Sequence, residues 1–406
     1  MRRLLNTQPV TPDRRRDRAL AGSLRVGLAG IYELPAATGR IVPMDGMRGL
    51  AILLVFLVHF HSLFSPYLAG GSLPMKISEA GAIIGNTGVD LFFFISGWLI
   101  YSSILHRRAE WLLFLRRRTR RIYPVLLSVL AVYLAVSIAF PSVSKIPPGA
   151  GAAAIYLFQN IALLPGVFDI PPIITVAWSL SYEMLFYLTI PILVWGTSMG
   201  RWARRRRMLF FALFMAFLFA LTGLISGGQH MRFVMFTAGI LAYEILSHDR
   251  FRQSLSLKGE MVSALVFIAG FVLVWQLRVW YDSQRITLPE HNLCRSLALV
   301  PAVSGLGIYC LGREGLLARV FSWTPLRWIG NISYSYFLFH GLTLKGVQML
   351  IAQFWPVRPH SPAIYGCLLL IGLVATVISS TILFVLIEKP FSLKPHSAGL
   401  ATASGR

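Results

Sequence analysis

Ten stretches of about twenty predominantly apolar residues run through this chain, over 48–68, 86–105, 122–140, 176–196, 208–226, 231–247, 260–279, 293–311, 331–352 and 363–387. Each is long enough to cross a hydrocarbon core about 30 Å thick as a helix. Backbone in lipid must satisfy its own hydrogen bonds, so such runs leave little choice of architecture. An all-α polytopic membrane protein is expected. Composition agrees: 56% of the 406 residues are hydrophobic and only 13% are charged, about half the charged share of a soluble domain.

The charge is lopsided, 38 Lys and Arg against 16 Asp and Glu. A basic excess suits nucleic acid or a membrane surface, and its placement decides. The arginines lie in short clusters between apolar runs, as cytoplasmic loops require, and form no continuous face for nucleic acid. An eleventh stretch, 150–166, carries Gln159 and Asn160 side by side. If it crossed, Arg201 and the run Arg204 to Arg207 would fall outside, against the positive-inside rule. Ten spans with both termini cytoplasmic are therefore expected. The 141–175 segment, with Pro147, Pro148, Pro171 and Pro172, becomes an outer loop holding a re-entrant or interfacial helix.

Residues 1–42 form an Arg-rich lead with Arg2, Arg3, Arg14, Arg15, Arg16 and Arg18. Arg25 and Glu33 interrupt the apolar stretch behind it, so it lacks the core of a secretory signal. It reads as a flexible cytosolic tail against anionic lipid, followed by one membrane domain over 43–391 and a short cytosolic tail over 392–406. Cys294, Cys310 and Cys367 lie in or beside apolar runs without CxxC spacing. They read as small residues packed between helices, not as disulfides or metal ligands.

Ionisable groups inside spans are costly and mark function by default. Arg48 and His59 are eleven residues apart, about 20° beyond three helical turns, so they share a face with His59 ~16 Å deeper. His61 stands 200° away from His59 and reads as packing or outer-cavity lining. Ser179 and Glu183 share a face of the 176–196 span, with Glu183 ~10 Å below the outer surface. Ser333, Tyr336 and His340 share a face of the 331–352 span. By depth alone, His59, Glu183 and His340 converge on the midplane. A carboxylate beside an imidazole would raise its basicity and fix its tautomer, as a general base needs; a structural hydrogen-bond network is the alternative. Asp90 is explained equally by helix N-capping, and Ser96-Gly97 by close helix approach. Glu244 and Glu388, near cytoplasmic ends, could pair with loop arginines. Arg118 and Arg121 put two guanidiniums on one helix face, as phosphate recognition requires.

Five separated signatures then stand in order. They are Met44-Asp45-Gly46-Met47-Arg48-Gly49-Leu50 with His59; Gly88-Val89-Asp90-Leu91-Phe92-Phe93 through Ile95-Ser96-Gly97; Arg118-Thr119-Arg120-Arg121-Ile122-Tyr123-Pro124; Trp178-Ser179-Leu180-Ser181-Tyr182-Glu183 with Phe186-Tyr187; and Ile332-Ser333-Tyr334-Ser335-Tyr336 with His340, followed by Glu388-Lys389-Pro390-Phe391. Together, over about 43–391, they resemble the acyltransferase-3 family of integral-membrane O-acyltransferases. Trp98, Tyr182 and Lys389 depart mildly from its usual Phe, Val and Arg.

The resemblance implies transfer of an acyl group, usually acetyl, from a coenzyme A thioester on the cytoplasmic side. The acceptor it implies is a hydroxyl of a polysaccharide, glycolipid or glycosylated metabolite, at a bacterial inner membrane. The family's Arg-x10-His motif falls on Arg48 and His59, and its Arg-x-x-Arg motif on Arg118 and Arg121. On this reading His59, Glu183 and Arg48 are catalytic, and Arg118 and Arg121 bind the donor. Asp90, Ser96, Ser179, Tyr336 and His340 are lining candidates. No bound cofactor and no metal are implied, and the partners are the acyl-CoA donor, a carbohydrate acceptor and membrane lipid. The short tail after Glu388 leaves no room for the hydrolase-like module many members carry there. A glycan or lipid flippase is the rival reading, since buried Arg, His and Glu also line transport paths.

Overall fold

The computed structural model describes residues 27–34, 40–107, 110–224, 229–284 and 288–393. The arginines of the lead up to Arg25, and nearly all of the 392–406 tail, lie outside the described residues. The chain divides into two units, Met1–Arg40 and Ile41–Arg406. Of the first, a short helix over 27–32 is described.

The second unit is all-helical, with no β-strand among the described residues. In order it contains α1 (Val42–Phe64), α2 (Leu73–Gly85), α3 (Gly88–Ile104), α4 (Trp111–Ala139), α5 (Ala150–Ile161) and α6 (Trp178–Gly196). Then follow α7 (Arg204–Leu224), α8 (Phe233–Leu246), α9 (Leu257–Gln284), α10 (Leu288–Gly312), α11 (Ser333–Phe354) and α12 (Pro362–Leu383), the last running into a π-helix, Phe384–Ser392. Prolines in the first turn of α1, α2 and α12 start those helices where an N–H has no partner to lose.

Seven helical stretches among the described residues are long and apolar enough to cross a membrane: Val42–Tyr67, Leu73–Ile104, Trp111–Ala139, Thr175–Gly196, Leu257–Ser283, Asn292–Gly312 and Pro362–Ser392. They coincide with seven of the ten expected runs. The other three runs coincide with α7, α8 and α11. Of these, α8 has 14 residues, ~21 Å of rise, and α11 carries Ser, Tyr and His side chains along one side. The 141–175 segment holds the 12-residue α5, which at ~18 Å is shorter than a bilayer core. Helix α2 has no counterpart among the expected runs.

Large apolar side chains lie on the outside of the unit, while Asp90, Glu244, Arg295 and Glu388 are buried. Helix α9 exposes Val262, Leu265 and Ile268, and α12 exposes Leu370, Ile371 and Val374, while most of α3 is buried. Such a distribution belongs in lipid, because apolar side chains there need no cover and ions do. Helices α3 and α8 pack with backbones nearly touching. A Cβ added at Gly97 would sit 2.1 Å from the Phe236 carbonyl oxygen, and one at Gly239 2.0 Å from that of Phe94. Only glycine permits this approach.

Two buried ion pairs cross the interior. Arg207 grips Glu244 through Nε at 2.6 Å and Nη2 at 3.0 Å, and the Tyr101 hydroxyl also donates to Glu244. Asp90 pairs with Arg295 of α10, both nearly fully buried. Removing one partner of such a pair strands a charge at a cost of about 3–5 kcal/mol. Glu388 differs from its expected pairing with a loop arginine. The π-helix carries it to the start of α11, where it accepts from Ser335 N at 3.0 Å and Ser335 Oγ at 2.6 Å. It thus caps one of the orphan N–H groups of α11 and complements the positive end of that helix. The cysteines are free; Cys310 is buried, whereas Cys367 is exposed and not packed between helices.

Candidate active site

Helices α1, α3, α4, α6 and α11 enclose a cavity of about 100 Å³ lined by Arg48, Ser96, Arg118, Arg121, Ser179, Glu183, Tyr187 and Ser333, among others. The i,i+3 spacing on α4 puts Arg118 and Arg121 on one face. Arg118 is held between two rings, its guanidinium carbon 5.3 Å from the centroids of both Phe114 and Tyr187. Stacking of this kind fixes a planar cation without neutralising it. Arg48 spends one N–H on Asp45, 3.2 Å away in the preceding turn. Glu183 accepts from Ser96 Oγ at 2.9 Å and from the Tyr187 hydroxyl. Arg118 and Arg121 have no carboxylate at ion-pair distance among the described residues. Two cations beside a hydroxyl-bound carboxylate leave the cavity suited to an anion.

The histidines form a separate group. His59 of α1 and His340 of α11 meet with ring centroids 4.9 Å apart at 64°. His340 is fully buried, and its Nδ1 lies 2.9 Å from the Tyr336 carbonyl oxygen. A carbonyl can only accept, so Nδ1 carries the proton and Nε2 carries the lone pair. That Nε2 has no hydrogen-bond partner among the described residues, a costly state for a buried acceptor. Tyr336 stacks on the His340 ring at 5.4 Å and shares its hydroxyl with Thr376 at 2.8 Å. Phe337 connects the two groups: it lines the arginine cavity, touches Phe92 at 5.7 Å between centroids, and lies 6.4 Å from the His340 ring.

Three expected placements change. Glu183 does not orient His59; it belongs to the arginine cavity, and the ring partner of His59 is His340. Asp90 is no N-cap and lines no site, because Arg295 takes its carboxylate. His59, Tyr336 and His340 do not line the cavity, which Phe337 separates from His340, whereas Arg48, Ser96, Arg118, Arg121, Ser179 and Glu183 line it. Ser179 turns its hydroxyl to the Val176 carbonyl at 3.0 Å, which leaves it the less reactive of the two serines. His61 bonds Ser78 Oγ at 2.8 Å, and Ser78 also meets the Tyr365 hydroxyl. In the sequence, Phe114 and Arg295 carried no site role, and Tyr187 stood only as part of a signature. Phe114 and Tyr187 were within reach, since each stands four residues from a residue already singled out, Arg118 and Glu183.

Comparison with known proteins bears on the same segments. Residues 41–385 match the acyltransferase domain family Acyl_transf_3. The peptidoglycan O-acetyltransferase OatA of Listeria monocytogenes is 25% identical over 375 residues, covering 86% of this chain and 55% of that protein. The acyltransferase MdmB of Streptomyces mycarofaciens is 24% identical over 385 residues, covering 88% of this chain and 93% of its own. The O-acetyltransferase OatA of Staphylococcus aureus is 24% identical over 320 residues, covering 73% of this chain and 49% of its own. The chain thus spans about half the length of the OatA proteins it matches. No solved structure matches it. A family match over most of the chain, on the helices that enclose the arginine cavity, makes this protein a member of the acyltransferase-3 family.

Proposed function

We propose that this chain is a membrane O-acyltransferase that moves an acyl group, acetyl in the first instance, from cytosolic acyl-coenzyme A to a hydroxyl of a glycan, glycolipid or glycosylated metabolite. The observation that carries the reading is the cavity in which Arg48, Arg118 and Arg121 converge beside Glu183. Coenzyme A is a polyanion, and Arg118 and Arg121, which have no carboxylate at ion-pair distance among the described residues, are groups suited to bind phosphate in a fixed geometry. The relatives named as O-acetyltransferases and acyltransferases support the acyl-transfer part. In the proposed reaction His59 takes the proton of the acceptor hydroxyl as its oxygen attacks the thioester carbonyl. The C–S bond then breaks, and the departing thiolate takes the proton from the His59 imidazolium, leaving the free thiol and a neutral His59. His340 is a positioning residue: its Nε2 lone pair is available to an N–H of His59, which would leave the other His59 nitrogen basic.

Mass spectrometry of cell-surface glycans and secreted glycosides, with and without the protein, tests this reading directly. A gain of one acyl group per acceptor, together with consumption of acetyl-coenzyme A by the purified chain, is the expected result. Glycan export with no thioester consumed is what a flippase would give, and it would remove the enzyme reading.

The topology that goes with this reading has ten spans, both termini in the cytoplasm of a bacterial cell, and the 141–175 segment outside. Single cysteines at Ser144 and Phe168 should then both react with a membrane-impermeant thiol reagent added from outside. Protection at Phe168 combined with outside labelling at Arg204 would require a different number of crossings.

A further inference from the structure

A second cavity, of about 510 Å³, lies away from the first, between the 166–178 segment and the starts of α8 and α10. Its volume is within the ~300–1,000 Å³ of small-molecule sites. Trp178, Tyr182, Arg232, Asn292, Asp169 and Thr175 supply its aromatic and polar lining. Helix α6 contributes to both cavities: Trp178 and Tyr182 face this one, and Ser179 and Glu183 face the arginine cavity. The first two turns of α6 are therefore the wall between them.

The outer wall of this cavity is built rather than loose. Asn160 Oδ1 accepts from Ile173 N at 2.8 Å. Lys145 Nζ ties down Pro172 O at 3.2 Å, Ile173 O at 3.4 Å and Thr175 Oγ1 at 3.1 Å. Gly166 has φ +90°, and a Cβ there would sit 2.7 Å from the Trp178 carbonyl oxygen, so both conformation and space demand glycine. A pocket preformed in this way does not charge the ligand for ordering the loop.

Arg232 sets the chemistry. Its guanidinium carbon lies 5.0 Å from the Trp178 ring centroid, and it donates to Asn86 Oδ1 at 3.2 Å and Asn86 O at 3.4 Å. The nearby carboxylate of Asp90 is taken by Arg295. Among the described residues Arg232 has no carboxylate at ion-pair distance. The cavity thus offers a flat aromatic wall, an amide and a carboxylate for hydroxyl groups, and one cation with no carboxylate at ion-pair distance among the described residues. We infer that this cavity binds the acceptor through a pyranose ring bearing an acidic substituent, with Arg232 reading the acid and Asn292 a ring hydroxyl. It is a recognition site and not the reacting position, since neither His59 nor His340 lines it. The inference rests on the acyl-transfer reading only in naming the ligand as the acceptor.

Calorimetric titration of the detergent-solubilised full chain, with no donor present, tests it. Methyl β-D-glucuronide is the probe and methyl β-D-glucoside the neutral control. Saturable binding of the glucuronide, weakened about tenfold or more in Arg232→Gln as a charge-assisted bond is lost and several-fold in Asn292→Ala, is the expected result. Asn292 makes no hydrogen bond among the described residues, so Asn292→Ala stays informative if Arg232→Gln fails to fold. No glucuronide binding, equal binding of the glucoside, or binding indifferent to the folded variants overturns the site. Binding without any transfer from acetyl-coenzyme A would overturn the proposed function and leave the site standing; transfer without binding would do the reverse.

Discussion

His59→Ala lowers the rate of acyl transfer by roughly 10²–10⁴-fold, the usual contribution of a general base, in a protein that still inserts and unfolds at the normal temperature. The expectation follows from position and partner together. His59 is carried by α1 to the interior, half-buried, with its ring against a fully buried His340 whose only basic nitrogen lacks a partner among the described residues. The His340 Nε2 lone pair is the single acceptor on that ring, because Nδ1–H is committed to the Tyr336 carbonyl. His340→Ala should therefore lower kcat by about tenfold or more through loss of His59 orientation. It should leave the KM for the donor unmoved, because His340 does not line the arginine cavity. A merely structural histidine would shift thermal stability without this split. His61→Ala should be close to wild type, since its bond goes to Ser78 at the other side of the helix. Near-normal transfer by a folded His59→Ala protein would move the base to another residue.

The helices were legible because the bilayer imposes a length. About twenty apolar residues are a requirement that composition alone reveals, and all ten expected runs coincide with helices. Helix α2 was not legible, since Lys76 and Glu79 break its apolar run and it has no polar groups that mark a site. Depth could also be read, at 1.5 Å per residue, and it correctly placed His59 and His340 near one another. Azimuth could not. The same residue count gives Glu183 a similar depth, yet α6 turns it to Ser96 and Tyr187. Which way a helix faces is decided by contacts such as the glycine-to-backbone approach of α3 and α8, and no single span encodes it. The same limit hid the Asp90–Arg295 pair, whose members are 205 positions apart. Local partners were recoverable, as the i,i+4 relation of Glu183 and Tyr187 shows, because within one helix the azimuth is fixed by the count of residues.

Arg118→Ala raises the apparent KM for acetyl-coenzyme A by about 10- to 100-fold, the loss of one charge-assisted phosphate contact of about 1.5–3 kcal/mol. The KM for the acceptor should change far less. Arg118 is the most constrained of the three cavity arginines, held between Phe114 and Tyr187, so its geometry is fixed before the donor arrives. Lys at this position keeps the charge but loses the planar fork and its stacking between the rings, and should rescue only in part. Tyr187→Phe keeps the ring under Arg118 but removes the hydroxyl from Glu183, and so separates the two roles of that side chain. Donor affinity should survive this change, while kcat falls if the Glu183 carboxylate contributes to the reaction. The competing account is that Arg116 to Arg121 serve only to hold this end of α4 in the cytoplasm. Under it, Arg118→Ala, Arg118→Lys and Arg121→Ala would all keep the wild-type donor KM, because the remaining arginines suffice to orient the helix. A donor KM that rises in both alanine variants and recovers partly with lysine is the pattern that only a phosphate site at this cavity produces.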